Sequence, residues 1–504
     1  MRTLNSAKNL VSSLAITFIT IILGFITRKI FVDSIGIEYL GLNGLLQNIL
    51  GAMSLLESGF ATSVVYNLYK PIAQNDQPRI IALLQLYRKV YRYIALGIFL
   101  CALAIYPFIN YFIKDAANLE YISIVYFIFL FNSLIHYFTA YKLSIINTSQ
   151  KGYKLATLNI IYQISINIAK ITILYYTKNY ILFLVIEALF GIGYNYAIVR
   201  KANKLFPYII TKIKYTVEPE VKRNIITNMK ALFFHALGGY FMHSTDNIII
   251  SSFVGIAVVG IYSNYTLLIG IIKGFVNQVM NSFSESVGNL IASESREKVY
   301  QIFRIAFFVN FIVVSIPVII FYNTLTPFID WWLGYEYELT HLTVCIILIN
   351  FYIDNMRTSA LTFKTKSGIF VQDRFTPFLQ GVINLILSLI LVKYFDLAGV
   401  LIATGISILS IGFWQFPRLI YKHTFNQPLK KYFYYYALYS AVAIIVIVLS
   451  SYICNLIIID SLFIKIIINT LISLLTAIST YCIFFRKSEQ YNQLMHYIMS
   501  VIKK

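Results

Sequence analysis

The chain is a succession of apolar runs, most of them about twenty residues long, separated by short polar connections. A run of that length is what an α-helix needs to cross roughly 30 Å of hydrocarbon. The sequence is 59% hydrophobic and only 12% charged, a balance that a soluble chain of 504 residues would not keep in solution. An all-α polytopic membrane protein is therefore expected.

The runs place helices at about 9–30, 41–65, 93–113, 120–141, 155–176 and 179–199, then at about 231–254, 256–283, 302–322, 341–362, 375–394 and 397–420, with two more at about 433–457 and 462–485. That makes about fourteen crossings in four parts: a six-helix lobe over 1–200, a basic connector over 201–230, a second six-helix lobe over 231–424, and two additional helices with a tail over 425–504. Short connections such as Thr177-Lys178-Asn179 make neighbours antiparallel. The first run has Arg28 and Lys29 after it and no small-residue cleavage site, which reads as a retained helix rather than a removed signal. Between Lys70 and Tyr93, leucines and isoleucines alternate with Arg79, Arg88, Lys89 and Arg92, a pattern that suits a short helix lying in the interface. The segment 323–340, with Trp331, Trp332, Tyr335 and Tyr337, reads as an interfacial loop.

A formal charge of +20 would point to nucleic acid in a soluble protein, but here it follows the connections. With fourteen crossings, 33 of the 41 lysines and arginines fall on the side that holds both termini and the connector. The positive-inside bias makes that side cytoplasmic and leaves no nucleic-acid partner to explain. Cys101, Cys345, Cys454 and Cys482 stand singly in apolar runs, as small fillers rather than disulfides or metal ligands.

A repeat relates the halves. Gly36-Ile37-Glu38-Tyr39-Leu40-Gly41-Leu42 follows the first helix, and Gly255-Ile256-Ala257-Val258-Val259-Gly260-Ile261 follows the seventh. Six crossings per half return the chain to its starting side, so the lobes would be parallel repeats of the kind that rock about a midplane site.

No catalytic constellation and no metal set is present: the chain has no phosphate loop, no HExxH and no extramembrane domain to house a soluble active site, so an enzyme is not expected. The chemistry rests on ionisable residues within apolar helices, each costly enough to be a functional candidate. The cations Arg28, Lys29, Lys170, Lys273 and Arg357 are candidates for holding an anionic group, and the acids Glu57, Glu187, Asp246 and Asp354 for binding a coupling ion, H+ or Na+. Structural ion pairs and snorkelling anchors are the competing readings. Asp246, behind His243, and Lys273 lie on consecutive helices and are expected to come together; Asp354 and Arg357 share a helical face. Glu57 and Glu187 show no partner in the sequence.

The stretches SIGIEYLGLNGLLQNILGAMSLLESGFATSVVYNLYKPIAQND, STDNIIISSFVGIAVVGIYSNYTLLI, SESVGNLIASE, INFYIDNMR and QDRFTPFLQGVINLILS resemble the bacterial oligosaccharide flippases of the polysaccharide transporter family, the Wzx type, within the multidrug/oligosaccharidyl-lipid/polysaccharide exporter superfamily. The resemblance runs through about residue 420; the stretch Lys364-Thr365-Lys366-Ser367 before Gly368-Ile369-Phe370 departs from it. It implies two six-helix lobes around a cationic cavity open alternately to either side, in the bacterial cytoplasmic membrane. The implied substrate is an undecaprenyl diphosphate-linked oligosaccharide, flipped outward for O-antigen, capsule or exopolysaccharide assembly. The partners implied are membrane lipids, a polysaccharide polymerase and other assembly proteins. Two other readings stay open: a drug/cation antiporter of the same fold, and a polyprenyl-linked sugar polymerase, against which the absence of arginine from the longest outer loop speaks.

Overall fold

The computed structural model describes residues 2–57, 59–115, 119–369, 372, 373 and 375–502, with side chains described at all of these except 2–15, 231, 234, 235, 243, 283, 285, 292 and 497–502. In the resembling stretches Ser58 and Arg374, and the side chains of Glu285 and Ala292, thus lie outside the described residues, as do Phe370 and the His243 side chain. The elements are α1 (Arg2–Ile35), α2 (Ile37–Met53), α3 (Phe60–Gln74), α4 (Gln77–Ile105), α5 (Ile122–Ile135), α6 (Ala140–Thr148), α7 (Ala156–Thr177), α8 (Tyr180–Leu205), α9 (Pro219–His243) and α10 (Asp246–Phe253). They continue with α11 (Ile256–Ser293), α12 (Arg296–Trp332), α13 (His341–Met356), α14 (Thr358–Lys366), α15 (Thr376–Ser410), α16 (Gly412–Ile420), α17 (Lys430–Leu456), α18 (Leu462–Phe485) and α19 (Glu489–Ile502). Among the described residues no strand occurs.

Among the described residues, eight helical stretches are long and apolar enough to cross a membrane, and ten if each of two bent pairs, α2 with α3 and α5 with α6, is one crossing. The stretch from Thr376 to Phe425 holds two crossings. Asp396 takes φ 47°, ψ −132° inside α15. A Cβ on Gly399 would fall 2.2 Å from the Leu391 carbonyl oxygen, a distance that only a chain doubling back can produce. Gln380 donates to the Ser407 carbonyl (3.1 Å) and Asn384 to Thr404 (3.0 Å), so the two arms run antiparallel about Asp396. With α1, α9–α10 and α13–α14 the described helices agree with the fourteen expected crossings.

The chain forms two compact units: Met1–Tyr240 with Ile250–Gly260, and Phe241–Ile249 with Ile261–Lys504. In the first unit the expected interfacial helix is absent as a separate element, because it continues straight into the third crossing as α4. Asp76 starts α4 by accepting from the Arg79 N–H (3.2 Å). Its apolar stripe, Ile80, Leu83, Leu84, Tyr87 and Tyr91, is buried against Phe60, Val64, Leu68, Ile145 and Ile146 instead of facing lipid. Amphipathic periodicity shows that a face is covered, not what covers it.

Both repeat turns also belong to the first unit. Gly36 (φ 105°) and Gly255 (φ 152°) occupy equivalent left-handed positions open to glycine. The later glycines cross reciprocally: a Cβ on Gly41 would lie 1.9 Å from the Ile256 carbonyl oxygen, and one on Gly260 would lie 2.3 Å from that of Ile37. Backbone meets backbone there, at an approach only glycine allows. The 112–114 loop fastens the second turn: Lys114 N–H donates to Ser251 (3.1 Å), its Nζ to the Phe253 carbonyl at the end of α10 (2.7 Å), and its carbonyl accepts from Ile256 N–H (3.3 Å).

In the second unit, α12, α17 and α18 pack through aromatic rings, with Phe311 stacked on Tyr439 (4.8 Å) and Phe308 edge-on to Phe485 (5.1 Å). The segment expected as a loop over 323–340 is helical as far as Trp332, despite Pro327. Proline cannot donate to the carbonyl four residues back, and here Asn469 Nδ2 donates to that carbonyl, of Asn323, at 3.1 Å. A neighbouring side chain thus supplies the bond the ring removes, as membrane helices allow.

Candidate functional site

Each unit carries a cluster of ionisable side chains on its membrane-embedded helices. In the second unit, Lys273 on α11 and Arg357 at the end of α13 share one carboxylate. Asp354 accepts from Lys273 Nζ at 2.8 Å, and from Arg357 Nε at 3.1 Å and Nη2 at 2.5 Å. The side chains are 40%, 15% and 11% exposed for Lys273, Asp354 and Arg357, so the lysine reaches toward solvent-accessible space while the other two stay enclosed. Two cations on one anion leave a net positive charge. The Arg357 guanidinium lies over the Phe416 ring at 5.6 Å, and its buried Nη1 has no hydrogen-bond partner. Gly412 makes room for it, since a Cβ there would approach Nη1 to 2.7 Å.

The polar surroundings are built by the Asp396 hairpin and its neighbours. Asn350 Nδ2 donates to the Leu401 carbonyl at 2.7 Å, and Asn310 Nδ2 to the Asn355 carbonyl at 3.0 Å. Asp246, at the start of α10, is buried within hydrogen-bonding reach of Thr404. The expected pairing of Asp246 with Lys273 is not the one formed. Asp246 lies nine residues before the Gly255 turn and Lys273 eighteen after it. At about 1.5 Å per residue the two are offset by about 13 Å along an antiparallel pair.

In the first unit Lys170 on α7 and Glu187 on α8 form an ion pair at 3.0 Å, with Lys170 also over the Phe183 ring at 4.6 Å. The α7–α8 turn at Lys178 and the Asn179 cap, which accepts from Leu182 N–H (3.0 Å), set the register that brings them together. One turn from Lys170, Asn167 accepts from Thr27 of α1 at 2.7 Å. Arg28 is half-buried, and Lys29 bonds Asp33 one turn along α1 at 3.0 Å in an exposed pair. Glu57, in the 3₁₀ turn between α2 and α3, is hydrogen-bonded by the Tyr91 and Tyr137 hydroxyls. The structure therefore supplies partners for both glutamates. It also reveals a buried pair that the sequence reading did not single out, Lys364 with Asp373, nine residues apart across the loop that departs from the resemblance. Among the described residues no group of His, Cys, Asp and Glu is placed to hold a metal ion.

No family model matches the sequence, and no curated protein matches it. Solved structures do match in fold. The structure of the lipid II flippase MurJ in an inward closed conformation is similar at a TM-score of 0.70 and 16% identity, over 95% of this chain and 99% of that one. An inward-facing MATE-family multidrug resistance transporter of the MOP superfamily is similar at 0.60 and 13% identity, covering 82% of this chain and 96% of that one. A mutant of the Vibrio cholerae MATE transporter VcmN is similar at 0.57 and 12% identity, covering 84% of this chain and 99% of that one. The chain is thus a multi-pass membrane protein with the fold shared by MurJ and the MATE transporters of the MOP superfamily.

Proposed function

We propose that the chain is a Wzx-type flippase that moves an undecaprenyl diphosphate-linked oligosaccharide from the cytoplasmic to the outer leaflet of the bacterial cytoplasmic membrane by alternating access, for surface polysaccharide assembly. The supporting observation is one of extent. The likeness to a flippase of a lipid-linked substrate runs over 95% of the chain, whereas that to the MATE transporters leaves about a sixth uncovered. Both termini are cytoplasmic in this reading, by the charge bias.

The ionisable clusters suit the task. A diphosphate leaving water must find cations to replace its hydration. Lys273 and Arg357 exceed their shared carboxylate by one charge, and with Arg28, Lys29 and Lys170 they are the proposed contacts for the diphosphate and its first sugar. Glu57, Glu187, Asp246 and Asp354 are the proposed sites for a coupling proton or sodium ion. The residues invite no covalent step; the work is binding and release of a charged, hydrated headgroup.

The test is deletion of the chain from its host, followed by chemical identification of the lipid-linked glycans. Accumulation of a polyprenyl diphosphate-linked repeat unit on the cytoplasmic leaflet, with loss of surface polymer, is the expected result. An unchanged lipid-linked pool together with altered sensitivity to cationic drugs would put the antiporter reading in its place.

A further inference from the structure

Apart from the ion clusters, the second unit holds a cavity of about 750 Å³ at the ends of α12, α13, α17 and α18. That volume lies within the about 300–1,000 Å³ typical of ligand sites. The charge bias assigns this end of the bundle to the outer side. Its lining is polar to a degree that a lipid-facing groove would not be. Asn323, Asn455 and Asn469 contribute amides, Glu336 and Glu338 carboxylates, and Tyr322 and Tyr335 aromatic rings, with His341 and Lys465 also at the wall.

We infer that this cavity is a carbohydrate-binding site, which receives the sugars of the glycan on the outer side. The inference deepens the flippase reading and rests on it for the identity of the glycan. Sugars present rows of hydroxyls, each at once donor and acceptor, and apolar ring faces. They are matched by planar groups with two polar atoms, amides and carboxylates, and by aromatic surfaces.

The cavity supplies both, and several of its groups are uncommitted. Asn323 Nδ2 is spent on Ser450 (2.9 Å) and Ser473 (3.0 Å), which fixes the amide and leaves its Oδ1 to accept. Asn455 is exposed and makes no side-chain hydrogen bond among the described residues, and neither Glu336 nor Glu338 has a cationic partner there. The Tyr322 ring is set edge-on to His341 at 5.5 Å. Burial, and then the nearby Asp330 carboxylate, push the Glu338 carboxyl above its ordinary range. With two carboxylates against one lysine, the lining is unsuited to a diphosphate and suited to neutral or amino sugars. The site therefore separates the sugars from the diphosphate, whose proposed cations lie elsewhere.

The experiment is calorimetric titration of the full chain in lipid nanodiscs. One probe is the oligosaccharide released by mild acid from the producing cell's lipid-linked pool, and the other is inorganic pyrophosphate. The expected result is saturable oligosaccharide binding that weakens at least tenfold in Asn455→Ala and in Glu338→Gln, with pyrophosphate binding unmoved in both. Lys273→Ala should weaken pyrophosphate binding at least tenfold and oligosaccharide binding by less than either cavity variant. Oligosaccharide binding at wild-type strength in both cavity variants would overturn the proposal, as would its absence from a wild-type chain that flips lipid-linked substrate in vesicles. A failure of the flippase reading looks different: deletion leaves the lipid-linked pool unchanged, while the cavity variants still lose oligosaccharide affinity.

Discussion

Removing either cation from Asp354 should have unequal consequences, and the inequality can be worked from exposure. Arg357 is 11% exposed and grips the carboxylate through two nitrogens, while Lys273 is 40% exposed and makes one bond. Breaking an enclosed pair by removing one partner costs about 3–5 kcal/mol. Because Lys273 stays bonded to Asp354, Arg357→Ala is expected at the lower end, about 3 kcal/mol. In Lys273→Ala the carboxylate keeps its two-pronged partner, and a pair this open to solvent contributes at most about 1 kcal/mol. The difference, about 2 kcal/mol, is roughly thirtyfold in the unfolding equilibrium. Equilibrium unfolding in mixed dodecyl maltoside and dodecyl sulfate micelles, followed by far-ultraviolet circular dichroism, reads it directly. Polymer export measured beside it should fall in Lys273→Ala at unchanged protein level and be better preserved in Lys273→Arg. Equal destabilisation by the two alanine variants would refute the argument, since it would mean that exposure does not set the strength of these bonds.

Gly260→Val would force a side chain into the Ile37 carbonyl, at a site where a Cβ already falls 2.3 Å away. Overpacking of this kind costs about 1–3 kcal/mol, so the midpoint of thermal unfolding should drop, and Gly41→Val should drop it at least as far. Asp246→Asn and Glu57→Gln should each weaken the dependence of flipping on the ion gradient in vesicles. Identical rates across all proton and sodium gradients in wild type and variants would remove these acids from coupling.

The crossings were largely legible because each is announced by its own length of apolar sequence; even the tight turn at Asp396 is visible as a two-residue gap between runs. Partnerships were not. The i, i+3 spacing of Asp354 and Arg357 fixes their bond locally, but the choice of Asp354 over Asp246 by Lys273 depends on how far each lies from its turn and on which helix comes alongside. Glu57 found its tyrosines on α4 and next to α6, at separations in the chain that no periodic pattern encodes. The polar cavity was hidden for a similar reason: its amides come from α12, α17 and α18 and its carboxylates from the connection between α12 and α13, each unremarked alone.

Where the two repeat turns meet, the contact is made chiefly by backbone, since a carbonyl oxygen stands where a glycine Cβ would be in both directions. Ordering such a contact spends little side-chain entropy. The two glycines are therefore costlier to replace than the isoleucines, leucines and valines around them are to exchange for one another. In the seam between the two turns, these two positions should be the least forgiving.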